Sequence, residues 1–492
     1  MKLILEGHEY KYAAEQIMMS VLPDARPEYG EVGEGDDWAR VKLTRGEKFT
    51  TCTVRLRYKG LESSGAAKTA NSALTGKLAA DRQCQMIVKL AFYRAAVKVL
   101  PEKPVWGALT GIRPGTLLTK MLEEGMTEEQ AVKRMESLYY VDRDRALLCA
   151  DTARASLEVK KSLGERDIAL YIGIPFCPTR CAYCSFVSQS IEKNMSLIEP
   201  FFEVLLKELR LLGEKIGELK LNVIAVYIGG GTPTTLYSEQ ITGLCRCLRE
   251  CFDLKNMREF SIEAGRPDTI TEEKLAAIEA GGATRISINP QSMNDEVLAA
   301  IGRRHSSEDI RTAYRQAREL TRADINMDLI AGLPGDTEER FKATVDELIA
   351  MEPENITIHT LALKRGTQLK LEGAPLPGKP EVAAMLDYSQ RALRAAGYKP
   401  YYLYRQKFMS GGFENIGWAK EHKENLYNIL IMEELTSIIA AGGGGSTKLV
   451  ERKTGKVEHI YDFKYPKEYI GGFDKTAKDK EKLTRFYEEN FK

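Results

Sequence analysis

The stretch Tyr171-Ile172-Gly173-Ile174-Pro175-Phe176-Cys177-Pro178-Thr179-Arg180-Cys181-Ala182-Tyr183-Cys184-Ser185-Phe186-Val187 sets three cysteines, spaced C-x3-C-x2-C, directly after an apolar run. A structural zinc site would want a fourth Cys or His close by, and the next histidine downstream is His305. A disulfide framework leaves one thiol over, and nothing else in the chain points to an oxidising compartment. Three thiolates suit a four-iron cluster in which one iron has no protein ligand and is open to a small molecule. Cys177, Cys181 and Cys184 are therefore the candidate metal ligands, with Tyr183 beside the last of them.

From about Ile168 onward, short β-branched runs alternate with longer amphipathic ones, the pattern of repeated βα units around a parallel sheet. Strands are expected at Ile168–Ile174, Val223–Ile228, Glu259–Glu263, Arg285–Asn289, Asn326–Ile330 and Ile356–Leu361. Helices are expected at Leu197–Lys215, Glu239–Phe252, Glu272–Ala280, Ser307–Thr321 and Glu338–Ala350. The fold class is α/β: a partial (β/α)6 barrel, with an accessory α+β domain before it and a mixed C-terminal region after it. The expected divisions are 1–160, 166–365 and 366–492.

In the first part, strand-like pieces at Leu3–Leu5 and Thr51–Tyr58 precede helical stretches at Ala70–Leu100 and Glu128–Leu163. Trp106 to Pro114 reads as a turn under an aromatic, with a contact to substrate or barrel as the other possibility. After a Pro/Gly-rich linker at 373–380, a helix is expected at Glu381–Ala396 and a strand at Tyr401–Tyr404. Gly442-Gly443-Gly444-Gly445-Ser446 matches an expression linker, and equally a glycine loop that lets a large ligand approach the backbone.

The 71 basic and 70 acidic residues nearly cancel among 492, so no global field draws the chain to nucleic acid or to an anionic membrane. No apolar run reaches a membrane span, and charge interrupts the N-terminus before a secretory core forms. The expectation is a soluble, cytoplasmic protein with neither nucleic-acid nor membrane partners. Cys245, Cys247 and Cys251 invite a second metal site, but at helical spacing only Cys247 and Cys251 share a face. Buried thiols account for them and for Cys52, Cys84 and Cys149.

At the ends of the expected strands the chain carries Gly229-Gly230-Gly231-Thr232-Pro233, then Glu263, then Gln291, then Asp328 in Asp328-Leu329-Ile330-Ala331-Gly332-Leu333-Pro334, with Arg303 in Ile301-Gly302-Arg303-Arg304-His305. Function gathers at such ends in parallel barrels. An amide, a guanidinium and a carboxylate there suit carboxylate and ribose groups. Taken alone, Arg303 or Arg304 reads equally well as a solvated helix-end charge and His305 as a surface histidine.

Together these motifs resemble the radical S-adenosylmethionine (SAM) superfamily. Within it, their order resembles the oxygen-independent coproporphyrinogen III dehydrogenase family, strongly over residues 166–365, in a longer branch with an N-terminal extension. The resemblance implies a 4Fe-4S cluster on Cys177, Cys181 and Cys184 and a SAM held on it by Tyr171, Gly230 and Glu263. It implies a second SAM, two per site, at Tyr183, Gly231, Thr232, Gln291, Arg303, Asp328 and Ala362. A 5'-deoxyadenosyl radical, a tetrapyrrole substrate and a low-potential donor such as a flavodoxin or ferredoxin follow from the same likeness. Arg303, Arg304, Lys364 and Arg365 are candidates for the substrate carboxylates.

Two positions depart from the family pattern. Gly173 stands where the dehydrogenases have a histidine and Phe186 where they have a cysteine. The phenylalanine is similar to a haem-chaperone branch of the superfamily. That branch carries a His-Asn pair near its C-terminal region, where this chain has Glu424-Asn425-Leu426-Tyr427-Asn428.

Overall fold

A computed structural model describes residues 1–22, 25–111, 113–185, 188–363, 367–373, 375–406 and 412–491. Phe186, Lys364 and Arg365 lie outside the described residues, as does Ile112 of the Trp106–Pro114 segment. The chain divides into two compact units, Met1–Ala153 with Arg405–Phe413 and Arg154–Tyr404 with Glu414–Lys492.

In the first unit, β1 (Lys2–Glu6), β2 (Trp38–Arg45), β3 (Phe49–Tyr58) and β4 (Leu61–Ala70) form one sheet in that order. Thr50, Cys52, Val54, Leu56 and Tyr58 of β3 are buried in strict alternation, which puts one face of the sheet in the core. Helices α1 (Lys11–Val21) and α2 (Lys77–Ala96) supply Ile17, Met18, Ile87, Val88 and Phe92 to the same core. β2 and β4 were not expected from the sequence. The expected helix from Ala70 is corrected: Ala70 ends β4, and α2 begins at Lys77. β4 reads Leu-Glu-Ser-Ser-Gly-Ala-Ala-Lys-Thr-Ala, poor in β-formers, yet it pairs with β3 along its whole length, so packing overrides propensity. A Cβ on Gly65 would stand 2.4 Å from the Ala91 carbonyl, which shows how closely β4 lies on α2.

After α3 (Pro114–Glu123), the expected helix over 128–163 is two helices, α4 (Glu128–Tyr139) and α5 (Arg143–Lys161). Tyr140, left-handed at φ 58°, makes the break. Trp106 is 1% exposed, and Gly107 has φ 54° with the Tyr139 carbonyl where a Cβ would sit, so this segment is a turn packed under its aromatic.

In the second unit, β5 (Asp167–Ile174), β6 (Asn222–Gly230), β7 (Glu259–Gly265), β8 (Arg285–Ile288), β9 (Asp324–Ala331) and β10 (Asn355–Thr360) run parallel in sequential order. Between them come α6 (Ile198–Glu218), α7 (Ser238–Cys251), α8 (Glu272–Ala280), α9 (Ser307–Leu320) and α10 (Glu338–Met351). This is the expected partial (β/α)6 barrel, with the expected boundaries met to within a turn of helix or two residues of strand. Thr271, Ser306 and Thr337 accept backbone N–H bonds at the starts of α8, α9 and α10, which fixes where those helices begin.

The sheet continues past both sides of the six strands. β11 (Lys399–Tyr404), reached through α11 (Lys379–Ala395), and β12 (Asn415–Ala419) extend it antiparallel beside β10. Beside β5 lie the parallel β13 (Ser437–Gly442) and a hairpin with β14 (Ser446–Glu451) and β15 (Lys456–Tyr461). The order is β11-β12-β10-β9-β8-β7-β6-β5-β13-β14-β15, and among the described residues the sheet does not close.

The glycine run is the β13–β14 turn. Gly443 N–H donates to the Gly173 carbonyl at 3.0 Å, and Cβ atoms on Gly442 and Gly443 would meet Gly173 and Pro175 at 2.3 and 2.4 Å. Behind the turn, Lys480 on α12 (Phe473–Asn490) lies 3.0 Å from Glu208 and 2.9 Å from Asp462, with all three side chains at most 1% exposed. Glu208 also accepts from the Gly442 N–H at 3.0 Å and from the Tyr469 hydroxyl. Among the described residues, no helix is long and apolar enough to cross a membrane.

Candidate functional site

Parallel strands bring their C-terminal ends to one mouth, and the loop after β5 carries Cys177, Cys181 and Cys184 there as partly exposed cysteines outside any disulfide. Of the other cysteines only Cys251 shares that partial exposure. The loop is held by backbone bonds: Gln189 N–H to the Pro175 carbonyl at 2.9 Å, Ala182 N–H to Ile301 at 3.0 Å and Leu369 N–H to Ala182 at 3.2 Å. Among the described residues, no three His, Cys, Asp or Glu side chains are grouped to hold a single ion. In a cluster each thiolate binds a different iron, so spread thiols are the arrangement it needs.

The turn after β6 lies against this loop. Gly231 N–H donates to Ile174 at 2.8 Å and Thr232 N–H to Phe176 at 2.7 Å. A Cβ on Gly231 would stand 2.4 Å from the Phe176 carbonyl and 3.0 Å from Cys177 Sγ. Gly230 has φ 112°, open to glycine alone in practice. The Thr232 hydroxyl donates to Cys177 Sγ at 3.6 Å.

One strand over, the Tyr227 hydroxyl donates to the carboxylate of Glu263, and a Cβ on Gly229 would come within 3.1 Å of that carboxylate. Burial pushes the Glu263 carboxyl up to about 7, helped by the charge of Asp328, while Tyr227 and the Gly230 N–H pull the other way. The ring of Tyr171 stacks on Tyr227 and on Tyr427, each at 6.3 Å, and those two rings stack on each other at 4.4 Å. Tyr227 and Tyr427 were missed in the sequence. Alternation along β6 next to the glycine turn was the available signal for the first; the second arrives from far along the chain.

Gln291 follows β8 in a left-handed conformation, φ 68°, fixed by its N–H to the Asp328 carbonyl at 2.9 Å and by Ile330 N–H to its own carbonyl at 3.0 Å. Such strain in a non-glycine residue marks a place the surrounding structure over-determines. Burial acts to raise Asp328, but His359 at 3.7 Å, the Asn326 amide at 2.8 Å and Thr357 hold it below its ordinary value.

Arg303 is buried, and so it is not the solvated charge that its position also allowed. It donates to the Asn289 carbonyl at 2.8 Å and to the Tyr183 hydroxyl at 3.1 Å, which ties it to the cysteine loop. Arg304 is exposed and pairs with Glu192. His305, expected at the surface, is instead 5% exposed, with neither ring nitrogen partnered among the described residues. Burial, then Arg303 and Arg266, push its pKa down to about 4, which keeps it neutral. Ala362 is half-buried just beyond β10.

The opposite end of the same strands is closed. Glu259, Arg285, Asp324 and Asn355, the first residues of β7, β8, β9 and β10, hold residues 423–427 as a floor. Glu259 accepts from the Leu426 and Tyr427 N–H groups at 2.8 and 3.0 Å. Arg285 and Asn355 donate to the Lys423 carbonyl at 3.1 and 2.8 Å, and Lys423 reaches Asp324 at 2.7 Å.

The residues at the mouth fit a cluster with a small polar ligand. Three thiols share one pinned loop, and a glycine turn keeps the space beside Cys177 free of Cβ atoms. Arg303 Nε and Asn289 Oδ1 are buried without partners among the described residues, the kind of polar atoms a ligand satisfies.

Residues 171–348 match the model of the radical SAM superfamily. The chain is 40% identical over 393 residues, 79% of its length and 78% of the relative's, to the oxygen-independent coproporphyrinogen-III oxidase-like protein HemZ of Bacillus subtilis. It is 27% identical over 308 residues, 62% of its length and 76% of the relative's, to the heme chaperone HemW of Haemophilus influenzae. Its fold resembles that of coproporphyrinogen III oxidase (HemN) from Escherichia coli, with a TM-score of 0.52 and 23% identity over 66% of this chain and 73% of that one.

Proposed function

This chain belongs to the radical SAM superfamily, in the family of oxygen-independent coproporphyrinogen-III oxidase-like proteins, and from that premise we propose that it converts coproporphyrinogen III to protoporphyrinogen IX. A 4Fe-4S cluster and SAM go with the superfamily. When bound, they would supply the radical chemistry that removing a hydrogen atom from an unactivated propionate carbon requires. Each of two propionates would then lose carbon dioxide and pass one electron to an external one-electron acceptor, leaving a vinyl group.

Cys177, Cys181 and Cys184 would hold the cluster, and Tyr171, Gly230 and Glu263 the SAM beside it. Gln291, Arg303, Asp328, Tyr183, Gly231, Thr232 and Ala362 are assigned to a second SAM. A fixed guanidinium matches a carboxylate group, while Glu263 offers a hydrogen-bond acceptor to an ammonium or ribose. The Tyr171, Tyr227 and Tyr427 rings keep water from the inner end of the site. A tetrapyrrole with four carboxylates needs cations at the rim, for which Arg304 is exposed, and a substrate carboxylate there would compete with Glu192 for it.

The observation that carries this reading is the polarity of the barrel. The assigned groups lie in the C-terminal halves of the strands or in the segments that follow them, whereas the backbone of Glu424 to Asn428 is held at the other end by Glu259 and Arg285 and the stretch brings no imidazole. The chaperone branch that the chain resembles carries a His-Asn pair in this region. A haem chaperone remains the second reading because Phe186 replaces a cysteine and relatives of that name match the chain.

Anaerobic incubation with coproporphyrinogen III, SAM and a reductant separates the two readings. Formation of 5'-deoxyadenosine that rises with added coproporphyrinogen supports the oxidase. Stoichiometric haem retention with a SAM cleavage rate indifferent to coproporphyrinogen would replace it with the chaperone.

A further inference from the structure

Arg266, just beyond β7, has no part in the assignments above. It is 3% exposed. Its Nε and Nη2 grip the two carboxylate oxygens of Asp268 at 2.9 and 2.6 Å. Its Nη1 donates to the Thr179 hydroxyl and carbonyl at 2.8 and 3.1 Å, inside the loop between Cys177 and Cys181, and lies 4.0 Å from Cys181 Sγ. The backbone that carries it is locked in turn. The Thr269 hydroxyl donates to the Arg266 carbonyl at 2.9 Å and pairs with the Thr234 hydroxyl at 2.6 Å, three residues past Gly231. Helix-end solvation explains none of this, and a clamp on Thr179 alone does not require a buried cation against a thiol.

We propose that Arg266 is a positioning residue for the iron-sulfur cluster that also sets its electron affinity: it fixes the cysteine loop through Thr179 and keeps a buried positive charge beside Cys181. One-electron reduction adds a negative charge to a core already bound by thiolates, and cluster potentials respond to nearby charge and to hydrogen bonds at sulfur. A cation held at one ligand therefore favours the reduced form. Asp268 opposes it by cancelling part of that charge, so the two side chains bias the same equilibrium in opposite senses.

The inference rests on the assignment of the cluster to Cys177, Cys181 and Cys184 and is independent of the substrate. It is tested by redox titration of the anaerobically reconstituted full chain, with an artificial low-potential reductant and detection of the reduced cluster by electron paramagnetic resonance. Iron content and the resonance signal of the parent protein check the cluster assignment first. Given a cluster, Arg266→Met should shift the midpoint negative and Asp268→Asn should shift it positive. Arg322→Met, whose side chain is 97% exposed, should leave it in place. If Arg266→Met fails to retain iron, the sign of the Asp268→Asn shift decides. Midpoints unchanged in both variants, both moved the same way, or an unmoved Asp268→Asn where Arg266→Met holds no cluster, would overturn the proposal.

Discussion

Replacing Glu263 by glutamine should stabilise the SAM-free protein at alkaline pH, although it removes a candidate ligand for SAM. The carboxyl is lifted from an ordinary 4.5 to about 7 in the fold, chiefly by burial. Between those values the unfolded chain gives up its proton while the folded one keeps it. The folded state therefore binds more protons, and its stability falls as pH rises. At pH 5 the penalty is under about 1 kcal/mol; at pH 8 it reaches about 3 kcal/mol. An amide keeps an oxygen for the Tyr227 hydroxyl and has no proton to lose. Glu263→Gln should thus gain little at pH 5 and up to about 3 kcal/mol at pH 8, a rise in Tm of about 1 to 2 °C per kcal/mol for a unit this large. Parallel thermal melts of parent and variant at the two pH values measure it. In anaerobic titration the same variant should bind SAM about 1.5 to 3 kcal/mol more weakly, the worth of a hydrogen bond to a charged group. A variant less stable than the parent at pH 8, or a gain that does not grow with pH, would refute the assignment of a buried, burial-shifted acid.

Lys480→Met should cost about 3 to 5 kcal/mol in chemical denaturation, because it leaves Glu208 and Asp462 buried without their cation; a loss below about 1 kcal/mol would show that water reaches the triad. Gly443→Ala should lower iron retention after reconstitution, since its Cβ would stand 2.4 Å from the Pro175 ring at the start of the cysteine loop; full retention would mean that the turn yields. Cys181→Ala should abolish cluster absorbance and SAM cleavage, whereas Cys247→Ala, whose partner sulfur on Cys251 is 3.7 Å away in the same helix, should leave both intact. Equal loss in the two variants would argue for a second metal site.

The six parallel strands and five helices were readable because their periodicity is unambiguous and because Thr271, Ser306 and Thr337 announce the helix starts. Gly230, Glu263 and Gln291 stood out for a related reason: each lies at or next to the end of a strand, where a charged, polar or glycine-rich departure from an apolar run is conspicuous. β4 escaped because its alanines and serines carry no strand signal, and only pairing with β3 makes it one. The extension of the sheet by β13 depends on pairing with β5, more than two hundred residues earlier in the chain, which no local pattern encodes. Glu208 and Lys480 did leave a trace. Each sits at helical spacing among buried apolar residues, Leu205 and Leu212 for the first and Leu483 and Tyr487 for the second, and a charge in such a stripe asks for a buried partner. Which partner it finds is a matter of tertiary structure. Gly173 shows the limit from the other side: its lack of a side chain looked like a chemical departure, and the structure gives a packing reason, the Gly443 carbonyl 2.7 Å from where a Cβ would be.

The most direct test of the oxidase assignment is a mass-spectrometric time course of coproporphyrinogen III incubated anaerobically with the reconstituted protein, SAM and an artificial reductant and electron acceptor. Two propionates must visit one reactive site in turn, so a monovinyl tricarboxylate should rise and fall ahead of the divinyl product, with carbon dioxide released in step with SAM consumed. Unchanged coproporphyrinogen, alongside an intact cluster and substrate-independent SAM cleavage, would contradict it.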